Sequence, residues 1–105
     1  MSTVVVRYRP RADRADENQR FVDAVFAELA ETDPGGLRYA TFRLADGTFV
    51  HIAEIESDEN PLRDNAAFAA FQDGIVERCE AGEAPNPQDA TLVGSYRAFA
   101  EGFGA

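Results

Sequence analysis

Leu37-Arg38-Tyr39-Ala40-Thr41-Phe42-Arg43-Leu44-Ala45-Asp46-Gly47-Thr48-Phe49-Val50-His51-Ile52-Ala53-Glu54-Ile55-Glu56 reads as two strands folded back on each other. Both arms are rich in β-branched and aromatic residues. An Asp-Gly pair between such runs is the strongest short-range hairpin signal, because a type I′ turn needs positive φ at two successive residues. A two-residue loop at Asp46-Gly47 sets Phe42 opposite His51, Leu44 opposite Phe49 and Ala40 opposite Ala53. Phe42, Leu44, Phe49, Ala53 and Ile55 then share one side with His51, and Arg38 falls on that face too. Tyr39, Val50 and Ile52 lie on the other side.

Working outward, Thr3 to Arg9 is a β-branched run closed by Pro10. From about Asp16 to Glu31 the period becomes helical, with Phe21, Val22, Val25, Phe26 and Leu29 on one stripe. Asp16 and Gln19 have capping-box spacing, and Asp33-Pro34-Gly35-Gly36 stops the helix. After the hairpin, Ser57 to Asn65 is a polar connection. Ala66 to Glu80 predicts a second helix, with Phe68, Phe71, Ile75, Val76 and Cys79 on its apolar stripe. Ala81 to Gln88 is a loop, Thr91 to Phe99 a final strand, and 101–105 a loose tail. The order β-α-β-β-α-β, with right-handed crossovers, predicts an α+β fold: a ferredoxin-like plait with a four-stranded antiparallel sheet and both helices on one face. Residues 1–100 form a single domain, as a chain of 105 residues should.

Composition narrows the partners. Ten basic against nineteen acidic residues give a net charge of −9, which repels phosphate backbones and anionic lipid, so neither nucleic acid nor membrane is an expected partner. No apolar run is long enough to span a bilayer, and no secretory leader is visible. A single cysteine, Cys79, excludes CxxC redox and metal motifs and fits a reducing cytoplasm. On the helix stripe it reads as a buried, inert thiol.

The hairpin is apolar on both faces, whereas two helices can cover only one. Leaving several large side chains wet forgoes about 1.5–3 kcal/mol apiece. Such a face marks an interface or a ligand cavity. A homodimer packed sheet to sheet about a two-fold axis is therefore expected.

The segment Asp46-Gly47-Thr48-Phe49-Val50-His51-Ile52-Ala53-Glu54-Ile55-Glu56-Ser57 resembles the third-strand segment of the dimeric α+β barrel superfamily, in its antibiotic-biosynthesis-monooxygenase-like branch. Ala67-Phe68-Ala69-Ala70-Phe71-Gln72 resembles the second-helix segment of the same domains. The resemblance implies the fold, the dimer and a cavity. The superfamily includes cofactor-independent oxygenases, haem degraders, polyketide cyclases and muconolactone-isomerase-like enzymes. Where the oxygenase branch carries a cavity-facing Asn and, four residues on, a Trp, this chain has His51 and Ile55. It contains no tryptophan, so the Asn-Trp chemistry is not carried over. Some cyclase-like members carry a cavity-facing His on this strand, which keeps His51 of interest.

His51 is the only histidine, and the one side chain whose ordinary pKa lies near neutrality. Between Phe49 and Ala53 on an apolar face, it reads as a general base or polar anchor in a hydrophobic pocket, with a depressed pKa. The structural alternative is a half-buried strand histidine satisfied by a neighbour. Phe42, Phe49, Ile55, Arg38 and Tyr96 are the expected pocket residues around it. Tyr8, Tyr39 and Tyr96 all fall on strands, where a hydroxyl could donate to a carbonyl but more often sits at the rim of the packing. Arg38 could pair with an anionic ligand group, or be solvated at the strand end. The acidic cluster Glu54, Glu56, Asp58 and Glu59 lacks an adjacent His and EF-hand spacing, and reads as solvated. No cofactor or metal is implied. Two functions compete: an enzyme or binder for an aromatic or polyketide-like molecule, working by cofactor-free proton abstraction or oxygenation, and a non-catalytic dimerisation module. A cavity of about 300 Å³ or more, reached from solvent and floored by His51, would support the first, and a sheet interface filled solidly with side chains the second.

Overall fold

The computed structural model of the chain describes residues 1–99; the expected tail at 101–105 lies outside them. The elements are β1 (Ser2–Tyr8), α1 (Ala15–Thr32), β2 (Leu37–Arg43), β3 (Phe49–Ile55), α2 (Ala66–Gln72), α3 (Ile75–Arg78) and β4 (Asn86–Ala90). The sheet order is β2-β3-β1-β4, with every neighbouring pair antiparallel. This is the ferredoxin-like plait that the element order predicts. Tyr8, Phe49, Val22, Val25, Leu62, Phe71 and Cys79 form the buried core between sheet and helices, with Phe21, Phe26, Leu29, Phe68 and Ile75 packed against it.

The hairpin register differs from the expected one by a single residue. Arg43 pairs with Phe49, Phe42 with Val50, Thr41 with His51 and Ala40 with Ile52. The Leu44 N–H donates to the Thr48 carbonyl at 2.7 Å and the Gly47 N–H to the Leu44 carbonyl at 3.0 Å, so the loop is three residues, Ala45 to Gly47. Within it only Gly47 has positive φ, at 90°, which fits a three-residue loop ending on a left-handed residue rather than a type I′ turn. The Asp46 carboxylate accepts from the Thr48 N–H at 2.9 Å and helps fix this shape. Because side chains alternate along a strand, one residue of slip turns β2 over relative to β3. Tyr39 and Thr41 join the His51 face, while Arg38 and Phe42 go to the opposite one.

Three further boundaries depart from expectation. Asp16 does not cap α1: a single 3₁₀ turn at Ala12–Arg14 leads into the helix. Asp16 and Gln19 instead both accept from the Arg43 guanidinium, at 3.0 and 2.8 Å, tying α1 to β2. The second helix breaks at Asp73-Gly74, where Gly74 takes φ of 77°. The freed carbonyls of Phe71 and Asp73 are satisfied by Arg78, which donates to them at 2.5 and 3.0 Å. Val76, expected on the buried stripe, is 66% exposed as a result.

The final strand is Asn86–Ala90 and not Thr91 to Phe99. Upstream, Pro10 bridges Cys79 and the Glu80 N–H donates to the Arg9 carbonyl at 3.0 Å; a turn closed by the Glu83 N–H on the Glu80 carbonyl at 2.9 Å then shifts the pairing before Arg7 meets Asn86. From that start the returning chain reaches Ala90 opposite Thr3, and β1 is nearly used up. The β-forming residues after it have no strand left to pair with. Pro87 is tolerated because β4 is an edge strand.

Candidate functional site

Alternation along β1 and β3 places Val6 and Tyr8 beside His51 and Phe49 on the helix-covered face. His51 is buried at 5% exposure, its ring between those of Tyr8, Phe71 and Tyr39 at 5.2, 5.3 and 5.7 Å. Both ring nitrogens have partners. Nε2 lies 2.7 Å from the Tyr8 hydroxyl; Nδ1 lies 2.5 Å from the Tyr39 hydroxyl and 3.1 Å from the Thr41 hydroxyl. Burial with no compensating anion pulls the His51 pKa down to about 4, so the ring is neutral at neutral pH. Burial also pushes Tyr39 up to about 12 and raises Tyr8 further. Both phenols keep their protons.

Behind Tyr8 the network continues. Asn18, fully buried on α1, donates from Nδ2 to the Tyr8 hydroxyl at 2.9 Å. Its Oδ1 accepts from Nε of Arg78 at 3.3 Å. Arg78 is 2% exposed, with its guanidinium over the Phe21 ring at 4.5 Å. Burial lowers the Arg78 pKa, yet an arginine stays charged in a protein.

In front of the histidine, α1 and β2 enclose a cleft of about 800 Å³, open to solvent. Val22, Phe26 and Leu29 form one wall; Leu37, Tyr39, Thr41 and Phe49 form the other. His51 itself does not reach the surface of this cleft. Tyr39 and Thr41, whose hydroxyls contact its Nδ1, are residues of the cleft wall. The arrangement can present a hydroxyl group, backed by a neutral imidazole, to an apolar ligand carrying an oxygen.

The other expected pocket residues scatter. Phe49 lines the cleft and is fully buried; Phe42 lines its outer rim, with its ring 5.3 Å from that of Phe99. Ile55 shares the His51 face but is not part of the cleft wall. Arg38 lies on the opposite face, 3.9 Å from Glu54, because the three-residue loop turned β2 over. Tyr96 is not on a strand and is 83% exposed, because the ladder ends before it. Among the described residues no three His, Cys, Asp or Glu side chains gather as metal ligands would.

Sequence reasoning missed Asn18 and Arg78, although a signal existed. Asn18 continues the α1 stripe of Val22, Val25 and Leu29, and Arg78 continues that of Phe71 and Ile75. A polar residue at a stripe position is a candidate for a buried, partnered group.

The sheet order and paired helices define the class: a ferredoxin-like α+β plait, the fold also of solved structures named antibiotic biosynthesis monooxygenase. Rv0793 from Mycobacterium tuberculosis superposes with a TM-score of 0.66 at 20% identity, over 90% of this chain and 96% of its own. A protein from Nitrosomonas europaea, provisionally named an antibiotic biosynthesis monooxygenase, gives 0.68 at 14% identity, over 89% of this chain and 99% of its own. A further structure named antibiotic biosynthesis monooxygenase gives 0.65 at 19% identity, over 90% of this chain and 100% of its own. At these identities the likeness is one of fold. No family model matches the sequence, and no curated protein matches it either. No helix among the described residues is long and apolar enough to cross a membrane.

Proposed function

We propose that the chain is a small homodimeric enzyme of the cofactor-independent, monooxygenase-like or cyclase-like kind, acting in the cytoplasm on an aromatic or polyketide-like molecule held between α1 and β2. The observation that carries this reading is the solvent-open cleft of about 800 Å³ whose wall includes Tyr39 and Thr41, their hydroxyls in contact with buried His51. Apolar walls with a few convergent polar groups are the usual form of a small-molecule site. The names of the solved structures that share the fold support the same class.

The chemistry that fits is ionisation of an enol, phenol or activated C–H. The proton leaves to water in the open cleft, and the electron pair settles on the substrate oxygen. Tyr39 donates a hydrogen bond to that oxygen, which stabilises charge as it develops. His51 serves from behind, holding the Tyr39 hydroxyl in place, and is not itself the cleft base. No step calls on a metal or organic cofactor.

Dimerisation draws on two observations. The face opposite the helices carries Val5, Ala40, Phe42, Val50 and Ile52. Past the end of the ladder, Leu92, Val93 and Tyr96 are 62%, 98% and 83% exposed. The volume of the cleft supports a cavity over a dimerising module without one, although Tyr39 and Thr41 and not His51 line it. A thermal-shift screen of aromatic and polyketide-like compounds against aliphatic controls tests the reading. Aromatic hits whose shifts shrink in Tyr39→Phe support it; no stabilising compound in either group overturns it.

A further inference from the structure

Given the cleft between α1 and β2 as a ligand site, on which the inference rests, donor chemistry determines which way the buried hydrogen bonds behind it point. Arginine can only donate. The Asn18 atom facing Arg78 is therefore its oxygen, and the atom facing Tyr8 is its NH₂. The Tyr8 oxygen accepts that bond, so its single proton is directed to Nε2 of His51, the other polar atom in reach. A neutral imidazole carries one proton, which then sits on Nδ1 and is donated to the oxygens of Tyr39 and Thr41. Thr41 also hydrogen-bonds the Tyr39 hydroxyl, so one hydroxyl proton of the pair is left without a partner in this network, on a residue of the cleft wall.

We infer that Arg78, Asn18, Tyr8, His51 and Tyr39 form one directed chain of donors running from a buried cation to the cleft wall, and that the ligand presents to Tyr39 a single delocalised oxyanion, a phenolate or the enolate of a 1,3-dicarbonyl compound. Each bond in such a chain polarises the next, so a donor at its end is stronger than an isolated tyrosine. The chain supplies direction where the wider field does not. Asp23 and Asp33 line the same cleft, and Arg43 is already engaged with Asp16 and Gln19. A multiply charged phosphate would be repelled by those carboxylates and by the net charge of −9. A monoanion with an aromatic body suits the apolar walls. Tyr39 and Thr41 touch the ligand; Arg78, Asn18, Tyr8 and His51 are positioning residues.

His51 is the only histidine, so a protein labelled with ¹⁵N at histidine gives an imidazole spectrum with no assignment problem. The expected result at neutral pH is the tautomer protonated at Nδ1; a proton on Nε2 overturns the inference. Asn18→Asp, nearly the same size, replaces the donor facing Tyr8 with an acceptor and pairs with Arg78. Tyr8 must then donate to the carboxylate, and His51 should switch to the Nε2 tautomer; no switch in a folded variant also overturns it. The ligand half is tested with 4-nitrophenolate and its neutral analogue 4-nitroanisole, titrated into wild type, Tyr39→Phe and Asn18→Asp. Both variants should lose about tenfold in affinity for the phenolate, with nitroanisole binding unchanged. Equal binding of both probes, insensitive to the variants, removes the oxyanion assignment while leaving the cleft as a site. Binding of neither probe overturns the cleft reading and the assignment with it.

Discussion

His51 ionises near pH 4 in the fold and near 6.5 when the chain is unfolded, because burial disfavours the imidazolium. Between those values the unfolded chain binds the extra proton, so lowering the pH favours unfolding. Stability present above about pH 6.5 should decline by about 3 kcal/mol on the way to pH 4, and His51 should contribute no further loss below that. Exposed carboxylates act lower down: Asp46 is held below its usual range by the Thr48 backbone N–H, and Glu17 by Arg14. Urea unfolding at pH 7 and pH 4.5 should therefore differ clearly for the wild type and much less for His51→Gln. An imidazole that titrates at 6.5 or above by NMR would contradict the burial argument at its source. Cys79 is buried at 6% exposure, and burial raises its thiol pKa. A thiol reagent should modify it far more slowly in the native protein than in denaturant; equal rates would mean the α3 end is not packed as described.

The hairpin loop controls what surrounds His51, and its conformation rests on Gly47 at φ of 90° with open space where a Cβ would be. Gly47→Ala should cost about 1–2 kcal/mol from backbone strain alone. Gly35→Ala, also in open space but without a positive φ, should be near neutral; equal effects in urea melts would show that strain is not the cause. A second tie operates at the start of α2, where the Glu28 carboxylate of α1 accepts from the Ala66 and Ala67 N–H groups at 2.9 and 3.0 Å. Asn65 caps the same turn through Phe68. Glu28→Ala should destabilise by about 1 kcal/mol in the same assay, and no measurable loss would show that Asn65 alone holds the turn. The element order, the α1 stripe and the hairpin were legible in the sequence because hydrophobic period and turn chemistry are local properties; the second stripe was legible only in part, since the break at Gly74 turns Val76 outward. The register was not: Asp-Gly is compatible with loops of two or three residues, and one residue decides which side chains meet His51. The last strand was misplaced for a related reason. Propensity favours Thr91-Leu92-Val93 over Asn86-Pro87-Gln88, but the chain returns to β1 straight after the turn at Glu80–Glu83, so Asn86–Ala90 take the positions opposite Arg7–Thr3. Thus His51 could be picked out by residue type, while Tyr39, Thr41, Asn18 and Arg78 as its partners required the tertiary fold.

At the scale of the whole molecule, one side of the sheet is closed by helices and the other carries apolar side chains that no helix among the described residues covers. Past the end of the β1–β4 ladder at Thr3, Leu92, Val93 and Tyr96 are exposed as well. Val93 is 98% exposed, so a single chain gains nothing from its being apolar. Its replacement by aspartate should leave an isolated chain as stable as before. In a homodimer that buries this segment, the same change places an unpaired charge in an interface, at a cost of several kcal/mol. Wild-type protein at micromolar concentration should therefore sediment at twice the 11.5 kDa of the chain. Val93→Asp should sediment as the monomer, with an unchanged far-ultraviolet spectrum and a dimer affinity at least about 100-fold weaker. A monomeric wild type would remove the dimer altogether. A dimer that tolerates Val93→Asp would leave the sheet face as the interface and exclude the segment beyond β4 from it. Because α1 and β2 form the cleft within one chain, a folded Val93→Asp monomer should still bind an aromatic ligand there, and comparing its affinity with that of the dimer measures how far each site depends on the partner copy.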